Sequence, residues 1–281
     1  MITFRTFAAV VFVIAPAFSQ NPAMVPADRD EIRPTEPLWG SGRLPRPMIA
    51  DSDGSQPPGA HFDLPSPTIT PSSGAPTVSV RQLRHPPSKA AERAFAEAKR
   101  DAADGNHGKA IEELRKAVAQ SPEFGQAWTN LGVQYLLLGQ IEAAIAALEE
   151  AARLMQDEAL IHTNLSYAYS LSGSWDRAEA EARKAVELDK NYARAHYVLG
   201  HLLLLRGVNL AEGVENLRMA REEVPKARLI LASYYLHNEQ REAAEQELRA
   251  YIAGVKGAEK AGAELWLSDL KGHRTAVAPP Q

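Results

Sequence analysis

Residues 125–155 read GQAWTNLGVQYLLLGQIEAAIAALEEAARLM, and this stretch decides how the rest of the chain is read. Trp128, Leu131, Gly132 and Tyr135 fall on one side of a helix, Gly139 interrupts the pattern, and Ala144, Leu148 and Ala151 form a second helical stripe. The spacing predicts two short antiparallel helices, with the large residues of one stripe set against the small residues of the other.

The same order returns 34 residues later. Leu131, Tyr135, Ala144 and Ala151 become Leu165, Tyr169, Ala178 and Ala185, while Ala110, Leu114 and Ala117 stand 34 residues before Ala144, Leu148 and Ala151. Two steps carry Gly132 to Gly200, but Gly213, Leu217 and Ala220 arrive one residue late, so the loop RGVNLAEG has one extra residue. Leu231, Ala232 and Tyr235 with Ala244, Leu248 and Tyr251 make a fifth unit. Leu265, Trp266 and Leu270 mark a single further helix.

A 34-residue unit carrying Trp, Leu, Gly and Tyr on its first helix and Ala, Leu and Ala on its second resembles the tetratricopeptide repeat. The resemblance implies an all-α protein: a right-handed α-solenoid of about five helix hairpins with a C-terminal capping helix, preceded by a disordered Pro-rich tether. The units fall at about 91–124, 125–158, 159–192, 193–225 and 226–254, with the cap at 258–272, inside a repeat domain at 78–272 and before a flexible tail at 273–281. The first unit departs from the pattern, with Asp101 at the Tyr position and Glu97 at a Leu position, as expected of a terminal repeat that meets water. The third carries His162 at the Trp position and Ala182 at a large apolar one, and looser packing is expected there.

The N-terminal third differs in kind. Fifteen of the 19 prolines lie between Pro16 and Pro87. Residues 1–19 carry Arg5, the apolar run from Phe7 to Ala15 and a small-x-small site at Ala17, Phe18 and Ser19, the pattern of a secretory signal peptide. Residues 20–77 show neither a helical nor an alternating period and read as a disordered linker. Ser88 is the expected N-cap of the first helix. With no cysteine the chain has no site for a bacterial-type lipid anchor, disulfide or thiolate metal centre. The expected location is therefore extracytoplasmic, periplasmic or secreted, after signal cleavage.

A net charge of -4 from 31 basic and 35 acidic residues gives no electrostatic reason to expect nucleic acid or an anionic membrane as partner. No catalytic fingerprint occurs, the histidines at 162, 196, 201 and 237 show no metal-binding spacing, and neither an enzyme nor a cofactor is expected. In the resembled family the first helix of each repeat lines a concave groove that holds a peptide or partner protein. The resemblance places Thr129, Asn130 and Val133, then Thr163, Asn164 and Tyr167, then Arg194, Tyr197 and His201 in that groove. Asn130 and Asn164 recur one repeat apart and resemble the asparagine ladders that grip extended backbones, since an amide both donates and accepts. Phe95 and Val198 stand where a charged clamp for chaperone C-termini would need cations. The expected function is a non-enzymatic protein–protein interaction scaffold; the alternative is a self-assembling element of the cell envelope, a homo-oligomer joined through Trp266 and the cap.

Overall fold

The computed structural model describes residues 86–275, and side chains through Leu270; all belong to one compact unit. The stretches expected to be a signal peptide (1–19) and a linker (20–77), residues 78–85 of the expected repeat domain, and the residues from 276 onward lie outside the described residues. The described residues form eleven helices and no strand. Five hairpins follow one another: α1 (Lys89–Ala103) with α2 (His107–Gln120), α3 (Gly125–Leu137) with α4 (Ile141–Leu154), α5 (Ala159–Leu171) with α6 (Trp175–Leu188), α7 (Ala193–Arg206) with α8 (Leu210–Ala220), and α9 (Lys226–His237) with α10 (Arg241–Gly254). The last helix, α11 (Gly257–Thr275), packs on α10 and runs past the 272 boundary that the apolar pattern gives. The fold is an α-solenoid of tetratricopeptide type.

Each hairpin turns on one residue in the left-handed region. Gly105, Gly139, Gly173 and Gly207 stand 34 residues apart with φ of 66° to 75°, where a Cβ would be strained. The next residue's N–H then reaches back to close the turn, Gln140 to the Tyr135 carbonyl at 2.9 Å and Ser174 to the Tyr169 carbonyl at 2.8 Å. The fifth hairpin makes the same bond from Gln240 to Tyr235, but its left-handed residue is Glu239, with φ of 59°. The extra residue of the fourth unit is absorbed at Asn209, also left-handed, directly before α8. Asn tolerates this conformation better than most side chains. At the start of α1 the Ser88 hydroxyl accepts from the Ala91 N–H at 3.1 Å, the expected cap.

Small residues let the paired helices close up. Ala110, Ala144, Ala178 and Ala244 are completely buried, and Leu114, Leu148, Leu217 and Leu248 fill the space opposite. The core is divided along the array: one cluster joins residues of α1 to α4, a second those of α3 to α7, a third runs from Ala182 through α7–α10 to Trp266 and Leu270 of the cap, and a small fourth packs Ala159 and Leu160 of α5 with Ala185 of α6, Tyr192 and Ala195 of α7.

The Trp position has a role beyond packing. Trp128 Nε1 donates to the Pro122 carbonyl at 2.8 Å, tying its helix to the loop that enters the repeat. One repeat on, His162 Nε2 faces the Gln156 carbonyl at 2.9 Å, and a further repeat on, His196 Nε2 faces the Lys190 carbonyl at 2.8 Å. Each ring closes on the carbonyl six residues earlier. His162 Nδ1 also meets Glu181 at 2.5 Å and His196 Nδ1 meets Asn216 at 2.7 Å, contacts that indole has no atom to make. The looser packing expected at His162 is therefore corrected: the ring is buried and engaged at both nitrogens.

The second helices of neighbouring hairpins are joined by charge. Arg177 on α6 reaches Glu149 on α4 at 2.6 Å, Arg183 on α6 reaches Glu212 on α8 at 2.5 Å, and Glu247 on α10 accepts from Arg221, just past α8, at 2.6 Å and from Arg228, on α9 of its own hairpin, at 2.9 Å. The Tyr169 hydroxyl donates to Glu149 at 2.5 Å, and burial pushes its phenol above the ordinary range.

Candidate functional site: the inward face of the first helices

The first helices of successive hairpins touch one another, α3 with α5, α5 with α7 and α7 with α9, while each packs its opposite side on its own hairpin partner. One surface of α3, α5 and α7 therefore points away from the second-helix layer. A helix advances about 100° per residue, so residues at i, i+4, i+7 and i+11 share a face. On α7 those are Arg194, Val198, His201 and Leu205; on α5, Leu160, Asn164, Tyr167 and Leu171; on α3, Gln126, Asn130, Val133 and Leu137. Thr129, Thr163 and Tyr197 border this strip and lie toward the neighbouring first helix.

The structure brings these residues onto one strip but gives them unequal access. Asn130, Tyr167 and Arg194 are partly exposed, whereas Thr129, Val133, Thr163, Asn164, Tyr197 and His201 are buried. The threonines direct their hydroxyls inward along their own helices, Thr129 to the Gly125 carbonyl at 3.0 Å and Thr163 to the Ala159 carbonyl at 2.8 Å. These bonds satisfy the hydroxyls without a ligand. Asn130 uses Nδ2 on the Gln126 carbonyl at 2.8 Å and keeps Oδ1 as an acceptor. The Tyr197 and His201 rings meet at 5.9 Å between centroids, a tilted aromatic pair buried in the strip. Near Arg194, burial pushes the Tyr192 phenol up to about 12, with Arg194 opposing the shift.

Leu138, which sequence reasoning did not assign to the site, is 44% exposed and joins the exposed Leu137 and Leu171 along the end of the strip where the first helices turn. Its signal was present in the run Leu136, Leu137 and Leu138: the helix needs only Leu136 for its core. Among the described residues no group of three or more His, Cys, Asp or Glu side chains is arranged to hold a metal ion. No described helix is long and apolar enough to cross a membrane.

Two family models, both described as tetratricopeptide repeat, match residues 101–166 and 159–192. Tetratricopeptide repeats are thus found within residues 101–192, and the second match coincides with the hairpin of α5 and α6. Solved structures agree at the level of the fold. The crystal structure of MamA aligns with a TM-score of 0.50 at 20% identity, over 59% of this chain and 96% of that one. TTC0263, a thermophilic TPR protein in Thermus thermophilus, gives 0.53 at 18% identity over 64% and 98%. Pseudomonas aeruginosa pilF gives 0.56 at 18% identity over 66% and 86%. No curated protein matches the sequence.

Proposed function

We propose that this chain, built on tetratricopeptide repeats, is an extracytoplasmic, non-enzymatic scaffold that binds an extended peptide or partner-protein segment along the inward face of α3, α5 and α7. The observation that carries this reading is the side-by-side packing of the first helices, which lines up an amide, aromatic rings and aliphatic side chains from three repeats on one strip. Such a strip suits an extended backbone: Asn130 Oδ1 accepts a peptide N–H, Tyr167 offers a flat apolar contact, and Arg194 favours an acidic group at the strip's far end. The pattern of residues 1–19 supports a location outside the cytoplasm.

The alternative is self-assembly through Trp266 and the cap. Trp266 is buried in the third core cluster, and Leu265 beside it is the exposed residue. Replacing Trp266 would therefore unsettle the cap itself.

The test is affinity capture from the envelope fraction with the full chain as bait, followed by calorimetric titration of the captured protein. Tyr167→Ala is expected to weaken binding by about 1–3 kcal/mol, the loss typical of a buried aromatic anchor. Asn130→Ala is expected to cost on the order of 1 kcal/mol, one hydrogen bond to a desolvated backbone. Unchanged affinity in both variants, with circular dichroism preserved, would move the binding surface off the inward face.

A further inference from the structure

The helices of the two layers begin differently. From the second hairpin onward each second helix opens with an acidic residue in its first turn, Glu142, Asp176, Glu212 and Glu242, which complements the positive end of the helix dipole. The first helices α3, α5, α7 and α9 have no acidic residue in the first turn. Over their whole lengths they contain no Asp or Glu, so the acidic residues behind the net charge of -4 lie elsewhere. At α7 and α9 the first turn is instead cationic. Arg194 and Lys226 stand at matching positions, five residues before Leu199 and Leu231, and both are partly exposed. The dipole disfavours a cation there, so these two side chains cost helix stability while adding to the positive field along one edge of the strip.

The edge is unbalanced at these two helices in particular. α5 is entered through Glu158, an acid of its own, whereas α7 and α9 are entered through Tyr192 and Pro225. Of the acids in the entering loops, Asp189 accepts from the Asn191 N–H at 3.0 Å and Glu222 accepts from Arg228 at 2.7 Å, while Glu223 is exposed ahead of Pro225. A second observation falls at the same place. Tyr192 is 7% exposed and packs with Ala159 and Leu160 at the start of α5, yet its hydroxyl has no hydrogen-bond partner among the described residues. Arg194 is near enough for its charge to act on the phenol. A buried donor left unpaired is costly, and an acceptor arriving beside Arg194 relieves that cost.

We propose that the starts of α7 and α9 form a carboxylate-binding edge, and that the segment held along the strip is an acidic peptide whose two carboxylate side chains meet Arg194 and Lys226, with Tyr192 donating to the first. This rests on the reading of the inward face as the binding surface and names the chemistry of its ligand. First helices packed roughly 8–10 Å apart hold the two cations at about the separation of residues i and i+3 in an extended chain, which rises about 3.3 Å per residue. Beyond the edge the ligand meets Ile230, which occupies on α9 the position of Val198 on α7 and is partly exposed, so an apolar residue follows the acids.

The probe is a random heptapeptide phage library panned on the full chain. The enriched peptides are expected to carry Asp or Glu at two positions about three residues apart, followed by an apolar residue. Panning on the double variant Arg194→Glu, Lys226→Glu, with its helicity checked by circular dichroism, is expected to turn the enriched set toward Lys and Arg. Synthesised and followed by fluorescence anisotropy, the acidic peptides should bind about tenfold more weakly to Arg194→Gln, the loss of one charge-assisted hydrogen bond. Tyr192→Phe, which removes only the hydroxyl, should weaken them about fivefold. Two results would overturn the proposal: enriched peptides without acidic residues, or acidic peptides whose affinity survives both Arg194→Gln and Lys226→Gln. Apolar peptides that lose affinity on Tyr167→Ala would reject the carboxylate edge and keep the binding strip. Acidic peptides that respond to Arg194→Gln and ignore Tyr167→Ala would keep the edge and reject the strip, and a library with no enrichment would reject both.

Discussion

Gly200 on α7 and Gly213 on α8 meet backbone to backbone. A Cβ built on Gly200 would stand 2.7 Å from the Gly213 carbonyl oxygen, and one built on Gly213 would stand 3.2 Å from the Gly200 carbonyl oxygen. In the second hairpin the equivalent glycine, Gly132, is opposed first by a side chain, with Leu148 Cγ at 2.5 Å.

That difference sets the first prediction. A side chain can change rotamer, whereas backbone displacement moves the whole of α8. Gly200→Ala should cost about 1–3 kcal/mol, the usual range for overpacking, and more than Gly132→Ala. Gly132→Leu, which Leu148 cannot accommodate, should be at least as damaging as Gly200→Ala. Urea denaturation of the three variants checks the order, and equal midpoints for the two alanine variants would show that α7 and α8 are free to separate.

Glu239 holds the left-handed turn position that glycine fills in the other four hairpins. Glu239→Gly should stabilise the chain by about 1 kcal/mol, the order of the penalty that a Cβ incurs in that region. Gly139→Ala should lose a similar amount. A calorimetric scan in which Glu239→Gly melts below the parent chain would contradict this account.

Glu247 is buried between Arg221 and Arg228 and joins α10 to the preceding repeat. Glu247→Leu leaves two guanidinium groups without their shared acceptor and should destabilise by about 3 kcal/mol, in the range for breaking a buried pair from one side. Glu113, whose partner Lys116 is well exposed, should tolerate replacement by Gln with a change under about 1 kcal/mol. The denaturation midpoints of these two variants should separate clearly.

The Tyr192 phenol is raised from 10.0 to about 12 by burial. The folded state therefore keeps its proton at pH values where the unfolded chain gives it up. The stability this contributes is complete below pH 10 and falls as the pH rises from 10 toward 12. Tyr169 is shifted in the same direction, by burial first and by its bond to Glu149 next. Tyr192→Phe should flatten the alkaline decline of the melting temperature without abolishing it. An unchanged pH profile would place the decline elsewhere.

The hairpin register was legible because it is a steric requirement: Ala144, Ala178 and Gly200 must be small wherever two helices approach, and that demand repeats every 34 residues. Bonds between repeats were not legible. Glu149 reads as a solvent-face residue on its own helix, yet it binds Tyr169 and Arg177 from the next hairpin. His162 reads as a poor substitute for Trp, and only the fold brings Glu181 to its second nitrogen. The inward strip was legible in direction but not in access, since helical spacing says which way Val198 and His201 point and not how deeply their neighbours bury them.

The division of the core into clusters that overlap only with their neighbours has a kinetic meaning. Every apolar contact closes a short loop of chain, so no step of assembly must wait for distant segments to find each other. The array is free to begin at any hairpin and zip outward. The cap, rooted in the largest cluster, and the alanine-rich first hairpin, rooted in a smaller one, are then unequal ends. Opening under load or heat is then expected to begin at α1 and α2, before the repeats around α7 and α9.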